Sequence, residues 1–352
     1  MVLEKRTKAY ERLASELASR IALGEYGPGS PMPAERVLES EFSVHRATVR
    51  RALGMLTDQG LLSRTPGNRA IVTGGNVSGA ELAVLSGFPD EPFARLLMLE
   101  GIQQGLEGRD VRLKAFAAPA TDLDSCLDRQ ELCGMVLLPP STVDLDRLRA
   151  FRKRRPVVVV DRMIPGFECD FVGFEDYQAG YAAAKHLYEM GHRHIAFLGS
   201  EIPAPARERC RGVDAFCEDA GLPPSWNFSG LASGRPAPDG FLEAIFDLAR
   251  QSWPSAAVCT NDETAAHVIV ALARVGLRVP DDLALVGFGN VHSALLQALD
   301  LTTMAQPYNE VGREASNLIL GRRQGVITGD PRTIRLPMKL VMRGSCGVGS
   351  SG

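Results

Sequence analysis

Two sets of polar side chains in this 352-residue chain have the types and spacing to do chemistry. The first lies in HRATVRRALGML, where Arg46 and Arg50 stand one helical turn apart, with Thr48 and Arg51 beside them. Guanidinium groups on one helical face can pair with guanine edges or phosphates in a DNA major groove, and the helix N-terminus favours phosphate. An ordinary helix with a solvated basic face would show the same arginines, so their context must decide. The second set sits at strand ends: Asp161 follows VVVV, and Asn261 and Asp262 follow AAVC closely. Polar groups at the carboxyl ends of parallel strands suit the recognition of ligand hydroxyls. Capping of the next helix is the alternative for Asn261 or Asp262. Phe93 could stack on a ligand ring or pack in a core.

Other chemistries find no support. No Walker loop, GxSxG or HExxH is present, and GFG at Gly287–Gly289 lacks the third glycine of a dinucleotide fingerprint. His192 and His194 in GHRHIAF have no carboxylate or cysteine at ligand spacing, so neither a metal nor a cofactor is expected. The seven cysteines are scattered without a CxxC pair, as reduced cytoplasmic thiols would be; Cys126/Cys133 and Cys210/Cys217 read as small packed residues. The charged MVLEKRTKAYERL start does not read as a secretory signal, and no run of about 18 apolar residues predicts a membrane span. Neither an enzyme nor a membrane protein is expected.

The elements that must position the arginines are legible. Tyr10, Leu13, Ala14, Leu17, Ala18 and Ile21 form one apolar helical stripe, which Gly24 and YGPGSPMP end. Pro33 suits the first position of a second helix, through Phe42. A third helix runs from His45 to Asp58, burying Val49, Ala52, Leu53 and Leu56 and leaving the arginines outside. Leu61–Arg64 and Ala70–Val72 then flank TPGNR, a hairpin whose Gly67 and Asn68 suit a turn and whose tip carries Arg69. Residues 1–72 hold 11 Lys+Arg against 8 Asp+Glu, and the remainder 28 against 34, so a basic head precedes an acidic body.

Three helices and a hairpin, with GEYGPGSPMPAERVL and SVHRATVRRALGMLTDQGLL in order, resemble the winged helix-turn-helix of the GntR family over about 65 residues. The resemblance implies DNA contacts from Arg36, Arg46, Thr48, Arg50 and the wing-tip Gly67. His45 replaces the family's serine cap, Ala47 replaces a threonine, and PGNRA replaces a two-glycine wing loop.

Residues 74–80 read as a glycine-rich linker. From residue 81, strand-like runs alternate with amphipathic helices such as Tyr177–Met190, Arg207–Ala220 and Asp262–Val275. The expected strands are Leu82–Leu85, Val111–Phe116, Met135–Leu138, Val157–Val160, His194–Leu198, Ala256–Cys259 and Leu283–Phe288. This alternation predicts an α/β fold with parallel sheets, and the length predicts two lobes.

The segments VVVVDRMIPGFECDFVGFEDYQAGYAAAKHLYEMGHRHIAFLG, ARERCRGVDAFCEDAGL, NDETAAHVIVALARVGLRVPDDLALVGFGN and LTTMAQPYNEVGREA are similar to the LacI-type effector domain. The resemblance covers residues 81–346 and implies a two-lobed, periplasmic-binding-protein-like fold with ligand between the lobes. It divides the body into 81–161 plus 292–322 and 162–291 plus 323–346, leaving 347–352 as a tail. A GntR head on a LacI-type body is the layout of the arabinose-repressor group. It implies a cytoplasmic homodimeric regulator, a repressor, on a palindromic double-stranded DNA operator, tuned by a small effector such as a carbohydrate. Arg209 matches the ligand-contacting arginine of that family. Gly289 stands where many sugar-responsive members carry aspartate, and the aromatic expected near Leu231–Ala232 is missing. The alternative is therefore a regulator whose cleft reads another ligand or a protein partner.

Overall fold

The structure, a computed structural model, describes residues 9–22, 25–27, 29–58, 61–64, 69–72, 80–86, 92–117, 132–138, 144–199, 204–228, 254–291 and 293–347. Two compact units emerge: Met1–Gly87, Leu99–Phe171 and Gly312–Thr333 form the first; Phe88–Met98, Val172–Val311 and Ile334–Gly352 form the second.

In the head, α1 (Ala9–Ala22), α2 (Glu35–Phe42) and α3 (Arg46–Asp58) bury the expected stripes, with Leu17, Leu38, Val49 and Leu56 at zero exposure. Truncating such a leucine to alanine costs about 2–5 kcal/mol. Helix α2 begins two residues beyond Pro33, because Ala34 is still extended (φ −57°, ψ 145°). The missing serine cap of α3 is replaced from the preceding helix. Glu39 accepts the Arg46 N–H at 3.2 Å, and the His45 carbonyl accepts from Thr48 and Val49.

The wing strands β1 (Leu62–Arg64) and β2 (Ala70–Val72) pair antiparallel, with Leu62 opposite Val72. The tip, including Gly67, lies outside the described residues. The segment that reads as a helix breaker does more than break. Gly29 (φ +79°) and Met32 donate their N–H groups to the carbonyls of Val72 and Ala70, and Val72 donates to Ser30, so an extended segment flanks the wing. Val326 and Ile327 complete the head's apolar core from the 312–333 segment of the same unit.

Beyond the head, the strands in chain order are β3 (Ala80–Ser86), β4 (Val111–Ala117), β5 (Leu132–Leu138), β6 (Val157–Val160), β7 (Asp170–Phe174), β8 (Ile195–Leu198), β9 (Trp226–Phe228), β10 (Ala256–Cys259), β11 (Ala284–Gly289), β12 (Thr302–Ala305), β13 (Thr333–Leu336) and β14 (Lys339–Val341). They build two sheets, ordered β13-β7-β6-β5-β3-β4 and β14-β12-β11-β10-β8-β9. The inner pairs are parallel, and β5, β6, β8, β10 and β11 are buried throughout. Strands covered on both faces read as continuous apolar runs, and that made them visible in the sequence.

The helices are α4 (Pro92–Leu106), α5 (Leu145–Arg152), α6 (Asp176–Glu189), α7 (Ala204–Asp219), α8 (Asp262–Arg274), α9 (Ser293–Ala298) and α10 (Tyr308–Arg323). The chain changes sheets later than the expected lobe boundaries. Asp170–Phe174 still belongs to the first sheet, Thr302–Ala305 to the second, and Thr333–Leu336 to the first again. These strands are only four or five residues long, and TTMA and TIRL carry polar residues, so no apolar run marked them.

Candidate functional sites: a nucleic-acid interface and a ligand pocket

Helix α3 presents its cations to solvent, as its buried stripe requires. Arg46 and Arg50 converge on one carboxylate of α2: their Nε atoms lie 2.7 and 2.9 Å from Glu35 Oε2. Their side chains remain 55% and 61% exposed, against 22% for Glu35, so the arginines stay reachable while the acid between them is largely covered. The Arg46 guanidinium holds the Glu35 carboxyl below its ordinary range, outweighing desolvation, and Arg50 adds to it. The two guanidinium groups share Glu35, with Glu39 at the Arg46 N–H beside them, so the exposed cations are already oriented. Arg51 points elsewhere and lies 4.1 Å above the Tyr10 ring of α1, a cation–π contact that ties α3 to α1. Arg36 and Arg69 are exposed. Thr48 is half-buried in a shallow depression with Ser43, Val44 and His45 beside the start of α3.

The second unit holds a cavity of about 390 Å³ at the carboxyl ends of β10 and β11, within the range of small-molecule sites. It brings together four of the six expected ligand residues: Phe93, Asn261, Asp262 and Gly289. Phe93 is 46% exposed. Asn261 spends its side-chain oxygen on capping α8, accepting the Thr264 N–H at 2.8 Å. Asp262 is buried and accepts from the Asn290 N–H and the Thr303 hydroxyl, each at 2.5 Å. Burial pushes its carboxyl up, and the Thr303 bond partly opposes this. Gly289 adopts φ +132°, and a Cβ there would lie 3.2 Å from the Asp262 carboxylate. An aspartate at 289 would be strained and would face a second acid. Asp262 already occupies that ground.

Tyr308 was not singled out in the sequence, yet it lines the cavity. Its hydroxyl donates to Gln306 at 2.8 Å, and its ring meets Phe174 edge-on at 5.4 Å. Its place just after Pro307, where a strand gives way to a helix, was the available signal. Phe288, Val291, Leu295 and Leu296 make the rest of the wall largely apolar.

Arg209 takes a different place from the expected ligand contact. It is buried behind Phe288, whose ring it overlies at 4.6 Å, and its Nε and Nη1 donate to Asp176 and to the Thr260 carbonyl at 2.8 and 2.7 Å. Two glycines hold α7 close to α6 there. A Cβ on Gly180 would collide with the Arg209 carbonyl, and one on Gly212 with the Tyr177 carbonyl. Desolvation pushes the Asp176 carboxyl up, and the charge of Arg209 opposes that shift. Asp161 belongs to the first unit, at the carboxyl end of β6, with a left-handed backbone (φ +66°) and Arg162 Nε 3.8 Å away.

Among the described residues no group of three His, Cys, Asp or Glu could hold a metal ion, and no helix is long and apolar enough to cross a membrane. His192 Nδ1 lies 3.1 Å from Ser255 Oγ. Cys210 and Cys217 are buried, with burial pushing their thiols up to about 12 and about 11.

Residues 9–72 match the family of bacterial regulatory proteins described as gntR, and residues 184–346 match a periplasmic binding protein-like domain. The HTH-type transcriptional repressor PurR of Haemophilus influenzae is 35% identical over 181 residues, which is 51% of this chain and 52% of that protein. The chain thus spans about half the length of the PurR relatives it matches. The arabinose metabolism transcriptional repressor of Geobacillus stearothermophilus is 24% identical over 338 residues, covering 90% of this chain and 92% of the relative. A LacI family transcriptional regulator from Enterococcus faecium, solved with bound ribose, shares the fold with a TM-score of 0.63 at 24% identity, over 75% of this chain and 98% of its own. The chain carries a gntR-type winged helix-turn-helix followed by a periplasmic binding protein-like α/β domain.

Proposed function

We propose that this chain is a DNA-binding transcriptional regulator, a repressor, whose operator affinity is set by a small effector held in the body. The observation that carries the reading is the exposed Arg46–Arg50 pair on α3, oriented by Glu35 beside a wing. Arg36, Thr48 and Arg69 are proposed to join it; Gly67 and Arg51 are further candidates for DNA contact, the latter seated on Tyr10 in the free protein. A homodimer would place two such faces on a palindromic operator, since a two-fold protein axis calls for a two-fold site. The function is that of a binding protein, as the names of the repressor relatives suggest. The cytoplasm is its proposed location.

The effector site is assigned to the cavity at Asn261, Asp262 and Gly289, with Phe93 stacking; Arg209 and Asp161 are the other candidates. The ribose-bound neighbour favours a sugar-like effector. The apolar wall, the internally bonded Asp262 and Gly289 in place of an acid favour a second reading, a less hydroxylated ligand. Effector and DNA would be coupled by about 1–3 kcal/mol, with each changing the other's affinity by the same factor.

The test begins with selection of a duplex by the full-length protein from a random pool, followed by binding measurements on Arg46→Ala and Arg50→Ala. Each should lose roughly ten- to hundredfold affinity. Absence of any preferred duplex, or full affinity in both variants, would end the reading. A thermal-shift screen of sugars and aromatic acids then separates the two effector readings, with Phe93→Ala and Asp262→Asn placing any hit.

A further inference from the structure

We infer that the first unit carries a second DNA contact outside the winged helix, a cationic pocket in the body that takes duplex phosphates. This rests on the regulator reading above. The pocket, about 500 Å³, forms where α5 ends in Phe151-Arg152-Lys153-Arg154-Arg155-Pro156 and β6 begins. Arg152, Lys153 and Arg154 are exposed, and among the described residues none of the three has a carboxylate within ion-pair distance. Of the acids around it, Asp170 and Asp146 are engaged, whereas Asp330, between Gly329 and Pro331, is exposed and gives Arg322 its backbone carbonyl. Asp170 takes Arg322 in a bidentate pair at 2.7 and 2.8 Å, and Asp146 takes Arg149 at 2.8 Å.

Helix-dipole stabilisation explains one or two cations at the last turn of α5. It does not explain a run continuing past the helix end, nor its presence in a body where acids outnumber bases 34 to 28. A pocket with free guanidinium groups suits phosphate oxygens, and a DNA backbone offers them in a row.

Its position in the first unit favours DNA over a free anion. The strands β6, β5 and β3 are parallel neighbours, so their first residues share one sheet edge. Strand β3 is the one that follows the head in the chain; its Ala83 lies level with Val157 of β6, two strand spacings or about 10 Å away, and its start at Ala80 lies three residues further along. The 321–331 stretch also ties the two together. Arg322, Gly329 and Pro331 line the pocket, while Val326 and Ile327 pack into the head's core, so three residues, at most about 10 Å of chain, separate the head contact at Val326 from the pocket wall at Gly329. A duplex held by α3 continues past the head, and its flanking backbone is the polyanion this pocket is proposed to take.

The test uses the full chain and fluorescence anisotropy on mixed-sequence duplexes of about 20 and about 40 base pairs, the shorter only about two helical turns long. Affinity is followed from about 50 to about 200 mM KCl, where each phosphate neutralised adds about 0.9 to the slope of log K against log salt. The triple variant Arg152→Ala/Lys153→Ala/Arg154→Ala should lose about two to three units of slope on the longer duplex and little on the shorter. Arg152→Lys/Arg154→Lys should retain the slope, since point charges suffice for phosphate. An unchanged slope on the longer duplex overturns the proposal, as does an equal loss on both. So does sub-millimolar binding of inorganic phosphate, lost in the triple variant, with DNA binding intact, which would make this a small-anion site. Arg46→Ala/Arg50→Ala, run in parallel, keeps the two ideas apart: weakened binding there with no effect of the triple variant sinks only the body contact.

Discussion

The head and the second unit each build an arginine–carboxylate pair with the same 2.7–2.8 Å geometry, and they use it in opposite ways. Glu35 with Arg46 and Arg50 is a surface arrangement in which both cations stay more than half exposed. Such pairs add little to stability, so their arginines can be lent to a phosphate or a guanine edge. Arg209 and Asp176 are 7% and 4% exposed, and the arginine also donates to a backbone carbonyl and overlies a phenyl ring. Releasing that arginine would strand a charge in the interior. The same pair of residue types is thus a reserve of binding groups in one place and a framework in the other. The surrounding burial decides which.

The largest test of that contrast is Arg209→Ala. It leaves Asp176 buried without its partner and should cost about 3–5 kcal/mol, read as a shift in the urea midpoint. The paired replacement Arg209→Met/Asp176→Leu should recover most of the loss, because no lone charge remains. If Arg209→Ala folds with unchanged stability but loses an effector hit, the side chain is a ligand contact after all and the contrast fails.

This outcome also locates what the sequence could and could not carry. The stripes of α1 and α3 were legible because one face of each is buried at helical spacing. The inner strands were legible because both of their faces are buried. Residues 29–32 were not, since Gly and Pro mark a break without saying that the broken chain then pairs with the wing. The lobe crossings were missed because four- and five-residue strands give no periodicity. At the ligand site, strand-end polarity found Asn261 and Asp262, but spacing says nothing about how their oxygens are spent. Family likeness named Arg209 without its environment, which depends on Asp176, Gly180 and Gly212, residues no motif singled out.

A smaller effect sharpens the buried side of the comparison. His186 on α6 is 5% exposed, and its Nε2 has no hydrogen-bond partner among the described residues. Desolvation lowers its pKa from 6.5, and the charge of His192 adds to that, although Glu189 opposes it. The unfolded chain therefore binds a proton more readily than the folded one. Stability should be full above pH 6.5 and fall as pH drops from there toward the depressed folded value, by no more than about 1.4 kcal/mol per unit for this one group. Urea unfolding at successive pH values should show a shallower acid slope in His186→Leu than in the parent chain. An identical slope would mean that other groups carry the dependence.

The smallest change in stability is expected at the exposed pair. Glu35→Gln removes the carboxylate shared by Arg46 and Arg50 while keeping a polar side chain of the same size. Melting should hardly move, because exposed ion pairs contribute little. Affinity for mixed-sequence duplex should rise several-fold, since a negative charge leaves the DNA face, and its salt dependence should steepen as two cations become available to phosphates. Discrimination between a selected duplex and a mixed one should fall at the same time if Glu35 aims the guanidinium groups at base edges. Should mixed-sequence affinity drop instead, the acid's main contribution is to hold α2 against α3, and the head's pair would belong with the framework pair of the second unit.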